Sequence, residues 1–249
     1  KRQRVIVIVF FFQAEDGIRD VLYRANVTTS DNAVEACKWQ SQPSEGTLLI
    51  QIGDMVDRGP GSWEAWQCLE SLQDSAPARS QVVQILGNHD LWWLEGNFRK
   101  RNKNTDTRDK IDAIVQAMHD KINEGKLVGA FYIDVKGIPV IFTHAGIRPT
   151  MFSMLGQHFH RQQKDFTPKN VVRHINQLVA QSNNCGSKYC RFDGAIFDAG
   201  PDRGGSSIGG PFWTDFGVLE SAAASKQLPS NIIQIVGHSV ADCYRRSRG

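Results

Sequence analysis

Four times along the 249 residues an apolar run of strand length ends in a glycine-bearing loop of Asp, Asn or His. Thr47–Ile52 (TLLIQI) runs into GDMVDRG, and Gln81–Leu86 (QVVQIL) runs into GNHD. Ile138–Phe142 opens into THAG, and Ile232–Val236 (IIQIV) opens into GHSV. Continuous β-branched and aliphatic runs suit strands buried on both faces. Open α/β sheets gather their sites at the carboxyl ends of such strands, where loops converge.

Those loops deliver Asp54, Asp57 and Arg58 from the first, Asn88 and His89 from the second, His144 from the third and His238 from the fourth. Taken singly, each has an ordinary structural role: an Asp caps a helix, an Asn turns the chain, a His is satisfied in a core. Repetition of strand-then-ligand at four strand ends points instead to one shared metal site. Oxygen and imidazole donors together suit a divalent ion such as Mn, Fe or Zn. Glycines beside them permit sharp exits from the strands and close backbone approach.

Between the strands the spacing is helical. Ser62 is positioned to cap a helix that puts Trp63, Trp66, Leu69 and Leu72 on one face. Asp109–Glu124 and Val171–Ser182 read as further helices, and Phe131–Val135 with Ile138–Phe142 as a hairpin around Lys136-Gly137. Phe98–Arg108 reads as an exposed charged loop, and Asp193–Gly210 as a long loop over one face. Val5–Val9 is a further strand near the start. No repeat or linker divides the chain, so one α/β domain over residues 1–249 is expected.

Composition narrows the function classes. Charged residues make up 22% and the net charge is +3, with basic residues dispersed, which argues against a nucleic-acid binder. Val5–Phe12 is far short of a membrane span. The acidic stretch after it, without a small-residue cleavage site, argues against a signal peptide. Five cysteines form an odd set without zinc-type pairs, giving a reducing, cytoplasmic compartment as the default. Cys185 and Cys190 are close enough for a local disulfide or half a metal site, against a reading as two plain thiols.

GDMVDRG, LGNHD, THAG and VGHS, in that order, resemble the motifs of the calcineurin-like metallophosphoesterases, and more narrowly of the phosphoprotein phosphatases. Asp90 where that family has Glu, HAG for HGG, and GGPFWTDF at Gly209–Phe216 lean toward the bacterial-like, Shewanella-type branch. The resemblance implies a β-sandwich of mixed sheets flanked by helices, and a two-metal hydrolase that attacks phosphate with an activated water. It implies that Asp54 bridges two ions and that Asn88, His144 and His238 complete the second. By the same resemblance His89, oriented by Asp57, protonates the leaving alkoxide, and Arg58 clamps phosphate oxygens. Arg148, just past THAG, is open to either a phosphate contact or a surface role. The implied substrate and partner is a phosphorylated protein, with diadenosine tetraphosphate as an alternative on the same motifs.

The family's first motif, GDxHG, is missing. After the first strand the chain reads FFFQAEDGIRD, and no His precedes His89. QAEDGIRD resembles a translated sequencing-library adapter, so Phe10–Asp20 is expected to have overwritten the native motif, with native sequence resuming near Val21. The chain also stops soon after His238, before closing strands a sandwich of this type would have. The first-metal site is therefore expected to be incomplete and the chain as written to turn over little or no substrate. If Phe10–Asp20 is genuine, a pseudophosphatase that binds phosphorylated partners without turnover is the competing reading.

Overall fold

The computed structural model describes residues 6–10, 37–39, 46–57, 61–98 and 106–238. Two sheets carry the architecture. The first is parallel, in the order β1 (Ile6–Phe10), β2 (Thr47–Gln51), β3 (Gln81–Ile85) and β4 (Leu127–Val128). The second joins β5 (Ala130–Val135) antiparallel to β6 (Ile138–Thr143), which pairs in parallel with β7 (Ile233–Val236).

Period-two alternation sends the buried strand residues to one or other of two cores. Leu48, Ile50, Val83 and Ile85 of the first sheet meet Val140 and Phe142 of the second, forming the sandwich interior. Leu49, Val82 and Ile141 point the other way, into the larger core under the helices. Burial on both faces is why β2, β3 and the inner end of β6 read as unbroken apolar runs, whereas β7 is only partly buried.

Among the described residues the helices are α1 (Ser62–Asp74), α2 (Asn88–Leu94), α3 (Arg108–Asn123), α4 (Pro149–Arg161), α5 (Pro168–Asn183) and α6 (Phe216–Ala224). In α1, Trp66, Leu69 and Leu72 are fully buried, while Trp63 lies partly buried against the same core. Gly61, not Ser62, occupies the cap position; Ser62 is the first helical residue, and its hydroxyl accepts the Asp57 backbone N–H at 3.3 Å. Three helices escaped the reading of the sequence: α2, α4 and α6. α4 had a usable signal, Pro149 at its first position followed by Met151, Phe152, Leu155 and Phe159 on one buried stripe. The long Asp193–Gly210 loop holds only a single 3₁₀ turn, Pro201–Arg203.

Four of the five cysteines are paired. Cys37 is bonded to Cys68 of α1, and Cys185 to Cys190. The second pair is the local disulfide left open above; the first had no counterpart in the reading of the sequence. Cys243, most of Phe10–Asp20, Arg58 and residues 99–105 of the charged loop lie outside the described residues. Among the described residues no helix is long and apolar enough to cross a membrane.

Candidate metal and phosphoester site

The exits of β2, β3, β6 and β7 converge. Leaving β2, the chain turns at Gly53 (φ +93°), where a Cβ would come within 2.5 Å of His144 Nδ1. Gly87, at the exit of β3, is packed as tightly: a Cβ there would lie 2.2 Å from the Asp54 backbone nitrogen. Only glycine lets these loops touch. Asp54, Asp57 and His238 themselves hold positive φ values of 56°, 89° and 65°, so three non-glycine site residues carry left-handed backbone. Such strain clusters where the surrounding structure over-determines a functional geometry.

His144 is fully buried at the centre. Its Nδ1–H donates to the Ile52 carbonyl at 2.8 Å, which leaves Nε2 as a lone pair. Around that lone pair stand Asn88 Oδ1 at 3.1 Å, His238 Nδ1 at 2.9 Å and Asp54 Oδ1 at 3.3 Å. Four acceptor atoms thus face one another, and one proton on His238 would satisfy only a single contact. A divalent cation fits this donor set, two imidazoles, an amide oxygen and a carboxylate. Asp54, His144 and His238 present their ligand atoms within 4.8 Å of one another.

The electrostatics agree. Burial alone would raise the Asp54 carboxyl, yet His144 and His89 beside it hold it well below the usual range. His144 is pushed up by Asp54 against the opposing effect of its own burial. Burial, and then the neighbouring charge of His144, drive His238 down to about 3. The centre therefore favours one added positive charge, whether proton or metal.

Beside it lies a second unit. His89 Nδ1 and Asp57 Oδ2 are 2.6 Å apart, both buried, and the Trp93 indole N–H donates to Asp57 Oδ1 at 3.3 Å. The His89 backbone N–H donates to Asp54 Oδ1 at 3.0 Å, tying this pair to the Asp54–His144–His238 cluster. Sequence reasoning gave roles to Asp57 and His89 but none to Trp93, and noted Asp90 only as a departure from the family pattern. Asp90 accepts four backbone N–H groups, from Gly87 (2.7 Å), Asp54 (3.0 Å), Met55 (2.9 Å) and Val56 (3.3 Å). It clamps the GDMVD loop onto the start of α2.

Arg148 pairs with Asp202 from the loop before α6, and its guanidinium packs against Gly200. Its position is that of a loop anchor as much as of a phosphate contact. The register Phe10↔Gln51 brings the end of β1 beside the Gly53-Asp54 turn, so the chain leaves β1 next to this site.

The calcineurin-like phosphoesterase family model matches residues 28–196, beginning after Phe10–Asp20. The chain belongs to this family. Among curated relatives, a symmetrical bis(5'-nucleosyl)-tetraphosphatase of Pseudomonas entomophila (strain L48) is 36% identical over 104 residues, covering 41% of this chain and 33% of the relative. One of the same name from Enterobacter sp. (strain 638) is 34% identical over 109 residues, 43% of this chain and 35% of the relative. The chain thus spans about a third of the length of these phosphoesterases. A cold-active protein tyrosine phosphatase structure aligns with 94% of this chain and 66% of its own, at TM-score 0.57 and 15% identity. The cold-active protein-tyrosine phosphatase of a psychrophilic Shewanella sp. aligns at TM-score 0.51 and 15% identity, covering 94% and 67%. These two likenesses establish a shared metallophosphoesterase fold.

Proposed function

We propose that this calcineurin-like phosphoesterase hydrolyses phosphate monoesters, with phosphorylated protein side chains as the substrate class. The reading rests on one juxtaposition: a cation site built from Asp54, Asn88, His144 and His238, with the His89–Asp57 pair hydrogen-bonded onto it through Asp54. Bound divalent metal would supply charge for phosphate oxygens and an acidified water. Asp57 holds the His89 ring by Nδ1, and Nε2 is the nitrogen assigned to give a proton to the departing oxygen. Such general-acid help is worth about 10²–10⁴-fold. Asp54 serves as ligand and as the link that keeps His89 at a fixed distance. Arg58, within GDMVDRG, is assigned to the phosphate oxygens on the family pattern.

A second reading has its own support. The curated relatives carry the name bis(5'-nucleosyl)-tetraphosphatase, so a dinucleoside polyphosphate is the alternative substrate. The test is Mn²⁺-dependent hydrolysis of p-nitrophenyl phosphate, a phosphopeptide and diadenosine tetraphosphate. The chain as written is expected to show little turnover, and a version carrying GDxHG after Val9 to show activity. Loss of that activity in Asp54→Asn and His89→Asn supports the mechanism; full activity in both refutes it. A chain that binds phosphopeptide without turnover, even with GDxHG restored, marks a pseudophosphatase.

A further inference from the structure

An arc of aromatic rings joins the two halves of the site. His89 meets Trp92 edge-on, with centroids 4.5 Å apart at 74°. Trp92 meets Trp213 at 5.1 Å and 58°, and Trp213 meets His238 at 6.4 Å and 75°. The arc closes where His238 meets His144 at 4.8 Å. Trp92 and Trp213 therefore stand between His89 and His238, and both are only partly buried.

Both indoles are held on rigid supports. Trp92 follows the buried Leu91 in α2 and precedes Trp93, whose indole is committed to Asp57. Trp213 follows Phe212, which is fully buried and stacked on Phe197 at 5.7 Å and 10°. Two residues before Trp213, the Pro211 carbonyl accepts the Ala145 N–H of the THAG loop at 2.7 Å. A core tryptophan would be covered, and a chance surface tryptophan would not be braced against a site loop.

We propose that Trp92 and Trp213 form a leaving-group platform that selects substrates whose phosphate is borne by, or close to, a planar aromatic group. The inference rests on the phosphoester-hydrolase reading above. The group that accepts a proton from His89 must depart beside Trp92, whose ring lies against the His89 ring. A phenol ring or a nucleobase can stack there, whereas an aliphatic seryl or threonyl group has no ring face to offer. An aromatic contact of this kind is worth about three- to tenfold in affinity.

The experiment uses two matched pairs of anions, with dissociation constants measured by calorimetry on the whole chain in Mn²⁺. Phenylphosphonate against methylphosphonate isolates an aryl ring, and AMP against ribose 5-phosphate isolates a base. A three- to tenfold preference for the ringed member in either pair is expected, and the pair showing it tells aryl from nucleoside substrates. Trp92→Leu and Trp213→Leu should bring that ratio to within twofold, while Trp213→Phe, which keeps a ring, should retain most of it. Equal affinity within both pairs in the unaltered protein overturns the platform, and that measurement needs no variant to fold. A ratio unchanged in both folded leucine variants also overturns it. Failure to bind any of the four anions overturns the phosphoester reading itself and this inference with it.

Discussion

Asp90 Oδ2 accepts the backbone N–H of Asp54 at 3.0 Å, so a carboxylate in the GNHD segment fixes the backbone of the GDMVD loop. Three further N–H donors share its two oxygens. Burial and the nearby Asp54 charge push Asp90 up to about 6, against the pull of those donors. Asp90→Asn keeps the volume but turns an NH₂ toward N–H groups, leaving buried donors unpaired. A stability loss of about 1–3 kcal/mol is expected by thermal or urea unfolding. Metal affinity should fall with it, since Asp54 would no longer be held at φ 56°. Unchanged stability and metal affinity would show that Asp90 does not brace the loop.

Glycine at 87 is required by proximity and not by conformation. A Cβ there would meet Asp54 Oδ1 at 2.3 Å, whereas Gly125, with φ +70°, has nothing within 4 Å of its would-be Cβ. Gly87→Ala should therefore displace the Asp54 carboxylate and abolish metal binding by calorimetry. Gly125→Ala should cost about 1 kcal/mol of backbone strain and leave metal binding intact. Equal effects of the two would mean that the close approach of Gly87 to Asp54 is not what matters.

How much of this was legible follows from what each residue's role depends on. Strands buried on both faces, such as β2 and β3, advertise themselves, and even β7, which is only partly buried, falls with β2, β3 and β6 within a residue or so of where the sequence put it. The cluster of Asp54, Asn88, His144 and His238 was legible because residue type and position after a strand suffice to mark its members. Asp90 was visible only as a departure from a family pattern, because its role is a set of contacts to a loop about 35 residues away. Trp93 read as one more apolar residue, since nothing local says that its N–H meets Asp57. The Cys37–Cys68 bond spans 31 residues and had no spacing signal.

A cation at the His144 centre should stabilise the folded chain by linkage. At a metal concentration about 100 times its Kd, the gain is about 2.7 kcal/mol. Mn²⁺ or Zn²⁺ should raise the unfolding temperature, chelation should reverse the rise, and Asp54→Asn should remove most of it. Zn²⁺ should act at lower concentration than Mn²⁺ for a set with two imidazoles. A metal-induced rise of equal size in Asp54→Asn would place the cation elsewhere.

Gln84 is fully buried, and neither its amide oxygen nor its nitrogen has a hydrogen-bond partner. It sits in β3 opposite Gln51, whose Oε1 is likewise unpartnered. Burying such an amide is unfavourable, and an apolar side chain of similar length removes the cost. Gln84→Met should therefore raise stability by about 1 kcal/mol in urea unfolding. A loss of similar size would show that the amide is satisfied in solution.

His174 of α5 lies stacked on His158 of α4, with ring centroids 4.4 Å apart at 30°. Burial first, then the charges of His158 and Lys164, lower its pKa below the ordinary 6.5. Arg173 and Asp165 line the same cavity. A depressed folded value means that the unfolded chain takes up the proton first. The stability held by neutral His174 is thus present above about pH 6.5 and is lost as pH falls through the lower folded value. Unfolding followed in urea should show stability declining from pH 7 toward pH 5, with a shallower decline in His174→Gln. That variant keeps a polar side chain of similar reach but cannot titrate. An identical pH profile in the variant would remove His174 as the cause. A steeper one would reverse the sign assigned to the His158–His174 stack.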